Sequence, residues 1–400
     1  MIRALWLTSW YPNKSDAMTG DFIQRHARAA SLFCKVDVIH VEADKNNVLT
    51  KNIDVDIKRG NNLSETIILF KPIRIPFAGK LISLVRYFTL FRKYVKQYIK
   101  TEGRPDLVHV HVPVKAGIIA LWLKRKYEIP YAVTEHYGIY NPAAEGAYGG
   151  RSAAFKYFTK RIFENGKAFL PVSRYLGNAV QQMVSAIPFK VIPNVADISL
   201  FNTATTKEKN KNIFRFIHVS VLQHHKNPEG ILRAFARFYK AFPYAELMMA
   251  GEKPAALIQY ANSLKIDEQH ISFTGLVSYS EVAEMLKQSD AFVMFSRHEN
   301  LPCVIIEALC CGLPVISTNV GGIPELIDKS NGILINNEDE DALFHSMKQM
   351  YLNYKNYDKH TIAETAQKKF SFQTVGKQIH DAYCEVLGET SETNDNSNIN

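Results

Sequence analysis

Two separate series of short apolar runs, each alternating with amphipathic stretches, limit what this chain of 400 residues can fold into. In the first half the runs are IRALWLT (2–8), KVDVIHV (35–41), TIILF (66–70), LVHVH (107–111), YAVTE (131–135) and AFLPV (168–172). Helical patterns lie between them, for example DFIQRHARAASLF (21–33) and AGIIALWLKRKY (116–127). The second half repeats the alternation with FRFIHVS (214–220), AELMMAG (245–251), HISFTG (270–275), AFVMFS (291–296) and PVIST (314–318). Its helical patterns include GILRAFARFYKAF (230–242) and EVAEMLKQ (281–288). Unbroken apolar strands alternating with helices form parallel sheets covered on both faces. Two such series predict an α/β protein of two facing, doubly wound, Rossmann-like domains. Ligands of open α/β sheets bind beyond the carboxyl ends of the strands, so the cleft between the domains is the expected site.

The break falls near VIPNVADISLF (191–201), where Pro193 and Asn194 interrupt the pattern, and the charged stretch TTKEKNKN (205–212) follows it. One domain is therefore expected over 1–195 and the other over 196–370. From Gly388 the chain reads GETSETNDNSNIN, without apolar periodicity, which predicts a disordered tail over 388–400. A hydrophobic content of 46% is enough for two cores of ordinary size. Neither a signal peptide nor a run of about 18 uncharged apolar residues is present. A soluble, cytoplasmic protein is expected. The five cysteines, Cys34, Cys303, Cys310, Cys311 and Cys384, contain no C-x-x-C pair. They read as buried reduced thiols rather than zinc ligands or a disulfide framework.

The densest segment is SRHENLPCVIIEALCCGLPVISTNVGGIPELI, residues 296–327. It starts at the carboxyl end of an apolar strand. Glu299 lies in the strand-to-helix loop, Pro302 suits a helix opening, and Glu307 falls about one turn inside. Free N–H groups and the dipole at a helix start suit a pyrophosphate. A carboxylate farther in can accept both hydroxyls of a ribose, and one before the helix can reach sugar hydroxyls beyond the phosphates. Glu307 sits inside an apolar run, where an unpaired charge is costly. Gly321 and Gly322, after the next strand, again offer close backbone approach.

This segment closely resembles the E-x7-E signature of the retaining glycosyltransferases of family 4, which have the two-domain GT-B architecture. Further similar stretches follow in order: GDFIQRHA near the start, PDLVHVH (105–111), IPYAVTEH (129–136), VIPNVAD (191–197), HKNPEGILRAF (225–235) and FTGLVSYSEV (273–282). The resemblance covers nearly the whole chain apart from its tail and parts of 42–100. It implies a first domain on the acceptor side, a donor domain, and a helix over 371–387 that crosses back to the first. Glu307 would bind the nucleotide ribose, and Glu299 would contact the transferred sugar and support the reaction. Backbone around Asn300, Leu301, Pro302 and Cys303 would hold sugar and phosphates. Lys226, in HHKNPEG, would neutralise the leaving diphosphate, where a preorganised cation stabilises developing charge. The family often carries an arginine a few residues before this lysine. Here the stretch reads Ser220-Val221-Leu222, which leaves Lys226 and backbone amides, with Arg297 or Arg233 as substitutes. Transfer would proceed with retention by front-face displacement, without a catalytic metal or other cofactor. A nucleotide-diphosphate sugar would be the co-substrate.

In the first domain, Gly20 belongs to a loop that the resemblance brings close to the donor phosphates; a plain turn is the alternative. His136 ends the strand YAVTEH and would contact the sugar's hydroxymethyl region, a hydrogen bond a neutral ring can make. His109 and His111 end another strand and are candidates for the acceptor side. Glu135 should face the opposite way, in a structural role. Asp54-Val55-Asp56 forms a D-x-D in a polar stretch and reads as accidental, so no metal site is expected.

Charge separates the halves. Residues 1–200 hold 29 Lys and Arg against 15 Asp and Glu, a net of +14, whereas the remainder has a net of −5. Residues 71–100 contain eight Lys or Arg, no acid, and a basic amphipathic pattern from about Lys80. Such a helix suits an anionic membrane surface or a lipid diphosphate acceptor, which would make the protein peripheral on the inner face of the plasma membrane. Nothing in the patch resembles a nucleic-acid module. The expected function is sugar transfer to a glycan or lipid-linked acceptor, in cell-surface polysaccharide or glycolipid biosynthesis. The rivals are a nucleotide-sugar epimerase of the same architecture, an inert nucleotide-sugar binding protein, and a dinucleotide oxidoreductase. The first strand-to-helix turn lacks the G-x-G-x-x-G that the last would need.

Overall fold

The structure, a computed structural model, describes residues 1–204, 213–252 and 255–389; the linker 205–212 and positions 390–400 of the expected tail lie outside the described residues. The first sheet comprises β1 (Arg3–Thr8), β2 (Lys35–Ala43), β3 (Ile53–Arg59), β4 (Leu63–Phe70), β5 (Leu107–His111), β6 (Tyr131–Thr134) and β7 (Ala168–Phe169). Their order is β3-β4-β2-β1-β5-β6-β7, parallel except for β3 against β4. The second sheet comprises β8 (Phe214–Val219), β9 (Ala245–Ala250), β10 (Ile271–Gly275), β11 (Ala291–Met294), β12 (Val315–Thr318) and β13 (Gly332–Ile335). Its order is β10-β9-β8-β11-β12-β13, parallel throughout. This is the expected architecture: two doubly wound α/β halves.

Strand alternation explains why both faces are covered. On β1, Leu5 and Leu7 point into a core shared with Tyr87 and Phe91 of the helix Gly79–Glu102 and Leu123 of Pro113–Tyr127. Ala4 and Trp6 point the other way, onto Ile23 and Ala27 of Asp21–Ala30 and onto Val375 and Ile379 of Phe372–Leu387. The chain's final described helix therefore packs on the first half. It lies so close that a Cβ on Gly376 would stand 2.1 Å from the Ala29 carbonyl oxygen. In the second half, Phe216, Leu247 and Val293 meet Phe235 and Phe238 of Pro228–Ala241. The opposite face, with Ile217, Phe292 and Met294, belongs to the same continuous core as Leu5 and Leu7. Apolar packing thus joins the halves.

Two strands were not expected from the sequence. The D-x-D stretch is the edge strand β3, where Ile53, Val55 and Ile57 alternate with polar residues as a half-exposed antiparallel strand should. Asp54 is tied to Lys14 at 2.8 Å there. The run Gly332–Ile335 forms an edge of the second sheet as β13, too short to stand out by periodicity.

Candidate active site

Two strand-to-helix turns of the second sheet supply its charged groups. After β8 the chain makes a short 3-10 turn, His224–Lys226, and Asn227 takes a left-handed conformation while its side chain caps Gly230 N–H. Pro228 then opens the helix, and Lys226 is left facing the neighbouring turn. After β11 comes Glu299. Lys226 Nζ donates to Glu299 Oε1 at 2.5 Å, and both side chains are largely buried, 15% and 10% exposed. Burial alone would push the Glu299 carboxyl up. The Lys226 ammonium and its hydrogen bond outweigh that and hold it below the usual carboxylate value, so the carboxylate stays charged. The imidazoles of His225 and His298 stack beside it, centroids 5.3 Å apart.

Glu307 lies on the helix Cys303–Cys310 and is held differently. Tyr279, at the start of a helix fixed by the Ser278–Glu281 capping box, donates to Glu307 Oε1 at 2.8 Å. Arg25, from the first half, reaches across to within 3.7 Å of the same oxygen. Its guanidinium also lies 4.8 Å above the Tyr279 ring and bonds Asp21 at 2.8 Å. Burial dominates here and raises the Glu307 carboxyl, with Arg25 pulling partly the other way. Glu307 is thus capped by a side chain of the facing half. Burial likewise pushes the Cys303 thiol up to about 12, so it is not a thiolate at neutral pH.

The facing wall comes from the segments after β1, β6 and β7. His136 is buried and lies against Phe22, ring centroids 4.8 Å apart. Its loop is shaped by Glu135, whose carboxylate accepts His136 N–H at 2.8 Å, Tyr137 N–H at 2.9 Å and the Tyr140 hydroxyl at 3.0 Å. Burial raises Glu135 to about 7 despite those donors. His109 and His111 are not on an exposed acceptor face. They are core residues: His109 contacts the Tyr383 hydroxyl at 2.7 Å and Thr134 at 2.8 Å, and His111 stacks on Trp6 at 4.1 Å. Burial pushes His109 down to about 3 and His111 and His136 well below their usual value.

Between the walls lies a cavity of about 310 Å³ that brings together His136, His225, His298, Glu299, Asn300, Leu301 and Cys303 from both halves. Two buried polar atoms of lining residues, His136 Nδ1 and Asn194 Oδ1, have no hydrogen-bond partner among the described residues. Buried atoms in that state are ordinarily satisfied by an ordered water or by a ligand. Glu307 is not among the lining residues, because Arg25 and Tyr279 cover it.

Backbone-directed hydrogen bonds lock the walls together. Asn300 Nδ2 donates to His136 O at 2.8 Å, and Asn194 Nδ2 donates to Leu301 O at 2.7 Å. Glu325 caps the helix Arg174–Met183 of the first half, accepting Arg174 and Tyr175 N–H at 2.8 Å each. Gly321 and Gly322 do make a close approach, but to the protein's own loop. Cβ atoms there would stand 1.8 Å from Glu299 O and 2.3 Å from Asn300 O. Only glycine lets β12's loop support the turn that carries Glu299.

Other candidates sort by position. Pro302 occupies the N-cap of the Glu307 helix. Gly20 is buried outside the cavity lining, at φ 72°, where a Cβ would meet Trp10 and Tyr11 backbone at 2.7 Å. That is a turn's reason for glycine. Neither proposed substitute arginine faces the pair: Arg297 is bound to Glu338 at 2.7 Å, and Arg233 to Glu340 at 2.9 Å and Tyr260 at 2.8 Å. Arg25, Tyr279, Asn194 and Glu325 were not singled out from the sequence. Arg25 and Tyr279 sit inside the similar blocks GDFIQRHA and FTGLVSYSEV, which was the available signal.

Fold and cleft together define a glycosyltransferase of GT-B architecture. The pattern described as "Glycosyltransferase Family 4" matches residues 48–200, and "Glycosyl transferases group 1" matches 202–369. The chain belongs to glycosyltransferase family 4. Among relatives, it is 25% identical to TuaC of Bacillus subtilis, named as a teichuronic acid biosynthesis glycosyltransferase, over 96% of this chain and 98% of that protein. It is 24% identical to the alpha-monoglucosyldiacylglycerol synthase of Streptococcus pneumoniae, over 76% of this chain and 70% of that protein. Its fold matches HepE of Anabaena, solved in complex with UDP and glucose, with a TM-score of 0.71 at 17% identity, covering 95% of this chain and 99% of that one.

Proposed function

We propose that the enzyme transfers a sugar, with retention, from a nucleotide-diphosphate sugar to a glycan or lipid-linked acceptor in cell-surface polysaccharide or glycolipid synthesis. The observation that carries this reading is the buried Lys226–Glu299 pair, with Glu299 lining a cavity whose opposite wall holds His136 and Asn194. Lys226 would face the diphosphate, where negative charge grows as the bond from the anomeric carbon to phosphate oxygen breaks. The released phosphate oxygen takes the proton of the acceptor hydroxyl, whose oxygen joins the anomeric carbon on the face just vacated. No second carboxylate is required for a covalent intermediate. Glu299 would orient the sugar, and His136, neutral through burial, would hydrogen-bond it. The amides of Asn300, Leu301 and Cys303 would line the phosphates. Glu307 would accept the ribose hydroxyls once Arg25 has withdrawn. The UDP bound by HepE and the lipid product named for the streptococcal relative support the donor and acceptor classes.

Among the described residues no three His, Cys, Asp or Glu side chains are grouped to hold a metal ion, and the proposed chemistry routes no step through one. A thermal-shift panel of nucleotide diphosphates and their sugars tests the donor, with stabilisation by one base expected. Anomeric NMR of the product tests retention, and chelation should leave turnover unchanged. An inverted product, an isomerised free sugar, or a panel without any shift would overturn the reading.

A further inference from the structure

A nucleoside diphosphate would bring its negative charges to a wall that already carries two carboxylates, Glu299 and Glu307. Lys226 is paired with Glu299 on that wall. The stretch before it, Ser220-Val221-Leu222, has no cation, and Arg297 and Arg233 are held by Glu338 and Glu340. Charge balance at a site closed to water therefore calls for a further cation. Arg25 is placed to supply it. It lies on the helix Asp21–Ala30, three residues after Phe22 and so on the same face, and Phe22 lines the cavity. Its side chain is 8% exposed, yet its hydrogen bonding is incomplete. Nη1 donates to Asp21 Oδ2 at 2.8 Å. Nη2 stands 3.7 Å from Glu307 Oε1, beyond hydrogen-bond reach, and that oxygen takes its bond from Tyr279 instead. Nε is buried and has no partner among the described residues.

The surroundings select an anion over water as the partner for these donors. The guanidinium stands beside the Cys303 thiol, and Cys303 opens the helix Cys303–Cys310. No side chain caps the start of that helix among the described residues. Uncapped N–H groups and the helix dipole favour negative charge at that position. A guanidinium offers a planar fork of donors, which phosphate oxygens match. Arg25 of one half and the helix start of the other thus converge on one place, next to the carboxylate read as the ribose acceptor. Ribose and diphosphate are adjacent in a nucleotide, so one ligand would fill both positions.

We infer that Arg25 is a donor-binding residue: the ribose hydroxyls take its place at Glu307, and its guanidinium turns onto the diphosphate at the start of the Cys303 helix. Without donor, Arg25 covers Glu307; with donor, it joins the two halves across the phosphates. The inference rests on the proposed transferase reading and adds to it a phosphate ligand from the first half. Equilibrium titration of the parent, Arg25→Gln and Arg25→Lys tests it, with UDP, UMP and uridine and with GDP, GMP and guanosine. In the series that binds, Arg25→Gln should weaken the diphosphate about 10- to 100-fold, the monophosphate less and the nucleoside not at all. The nucleoside should bind this variant as well as the parent or better, because nothing then covers Glu307. Arg25→Lys keeps the charge but not the fork, so it should weaken the diphosphate only severalfold and leave the nucleoside unchanged. It carries the same comparison where Arg25→Gln does not fold. An arginine with a merely structural role would weaken all three ligands alike. That outcome, or an unchanged diphosphate affinity, would overturn the assignment and leave the donor reading standing. A parent that binds neither series would overturn the donor reading, and the assignment with it.

Discussion

On the first-sheet wall of the cleft, burial removes charge: His136 and His111 are held neutral, His26 is pushed down to about 4, and Glu135 is raised to about 7. On the second-sheet wall, an equally buried carboxylate keeps its charge because Lys226 stands 2.5 Å away on the same half. Comparable burial gives opposite outcomes, and the difference is one cation. A wall of neutral donors and acceptors suits sugar hydroxyls. A wall with a preorganised ion pair suits a phosphate leaving group, because the charge is already in place when the transition state forms. Glu307 falls between the two cases: its cation, Arg25, comes from the opposite half. Its environment therefore depends on the halves staying together, whereas that of Glu299 does not.

The largest effect should come from breaking the charged wall. Lys226→Ala should lower turnover by about 10²–10³-fold with a much smaller change in donor KM. Steady-state kinetics that showed the KM rising at constant turnover would assign Lys226 to ground-state binding instead. Next, Glu307→Ala should weaken donor binding about 10- to 100-fold, as expected for losing charged hydrogen bonds, measured by calorimetric titration. Nearly unchanged affinity would remove the ribose assignment.

The neutral wall makes a prediction of opposite sign in pH. A carboxyl raised in the folded state contributes stability below its unfolded value near 4.5 and loses it as pH rises toward about 7. Glu135→Gln mimics the protonated form, keeping an acceptor for the two N–H groups and offering a donor to Tyr140. Relative to the parent it should gain on the order of 1–2 kcal/mol between pH 4.5 and pH 8 in denaturant titrations. Glu299, lowered by Lys226, works the other way: its contribution is present above its unfolded value and is lost on acidification through its folded one. A parallel pH response of Glu135→Gln and Glu299→Gln would break the comparison between the walls. The smallest effect is the cross-cleft contact. A double-mutant cycle of Arg25→Met and Glu307→Gln should give a coupling of about 1 kcal/mol without donor, toward the low end for residues in contact because the buried groups stand 3.7 Å apart. That coupling should vanish with donor bound, since the ribose would replace Arg25.

Apolar runs and their alternation with helices determined the two parallel sheets, because a strand buried on both faces can only be apolar and a parallel connection needs a crossover. The strand end before Glu299 and the helix start before Glu307 were legible for the same reason, since both are local signals, whereas Lys226 was marked only by its resemblance to a family motif. β3 is weakly marked in sequence although Ile53, Val55 and Ile57 alternate, because an exposed edge strand carries charged residues between them and buries none of its side chains fully. Other features depended on which segments meet in space. Arg25 covers Glu307, Asn194 holds the Leu301 carbonyl, Glu325 caps a helix of the other half, and Gly321–Gly322 supports the Glu299 loop. The partners of each contact are more than 20 residues apart in sequence and most lie on different halves. Sequence alone pointed to Glu299 and Glu307, as carboxylates on either side of a helix start at a strand's end. Which of them keep a charge was decided by tertiary structure, because that depends on whether a counter-ion arrives within a few ångströms once water has been excluded.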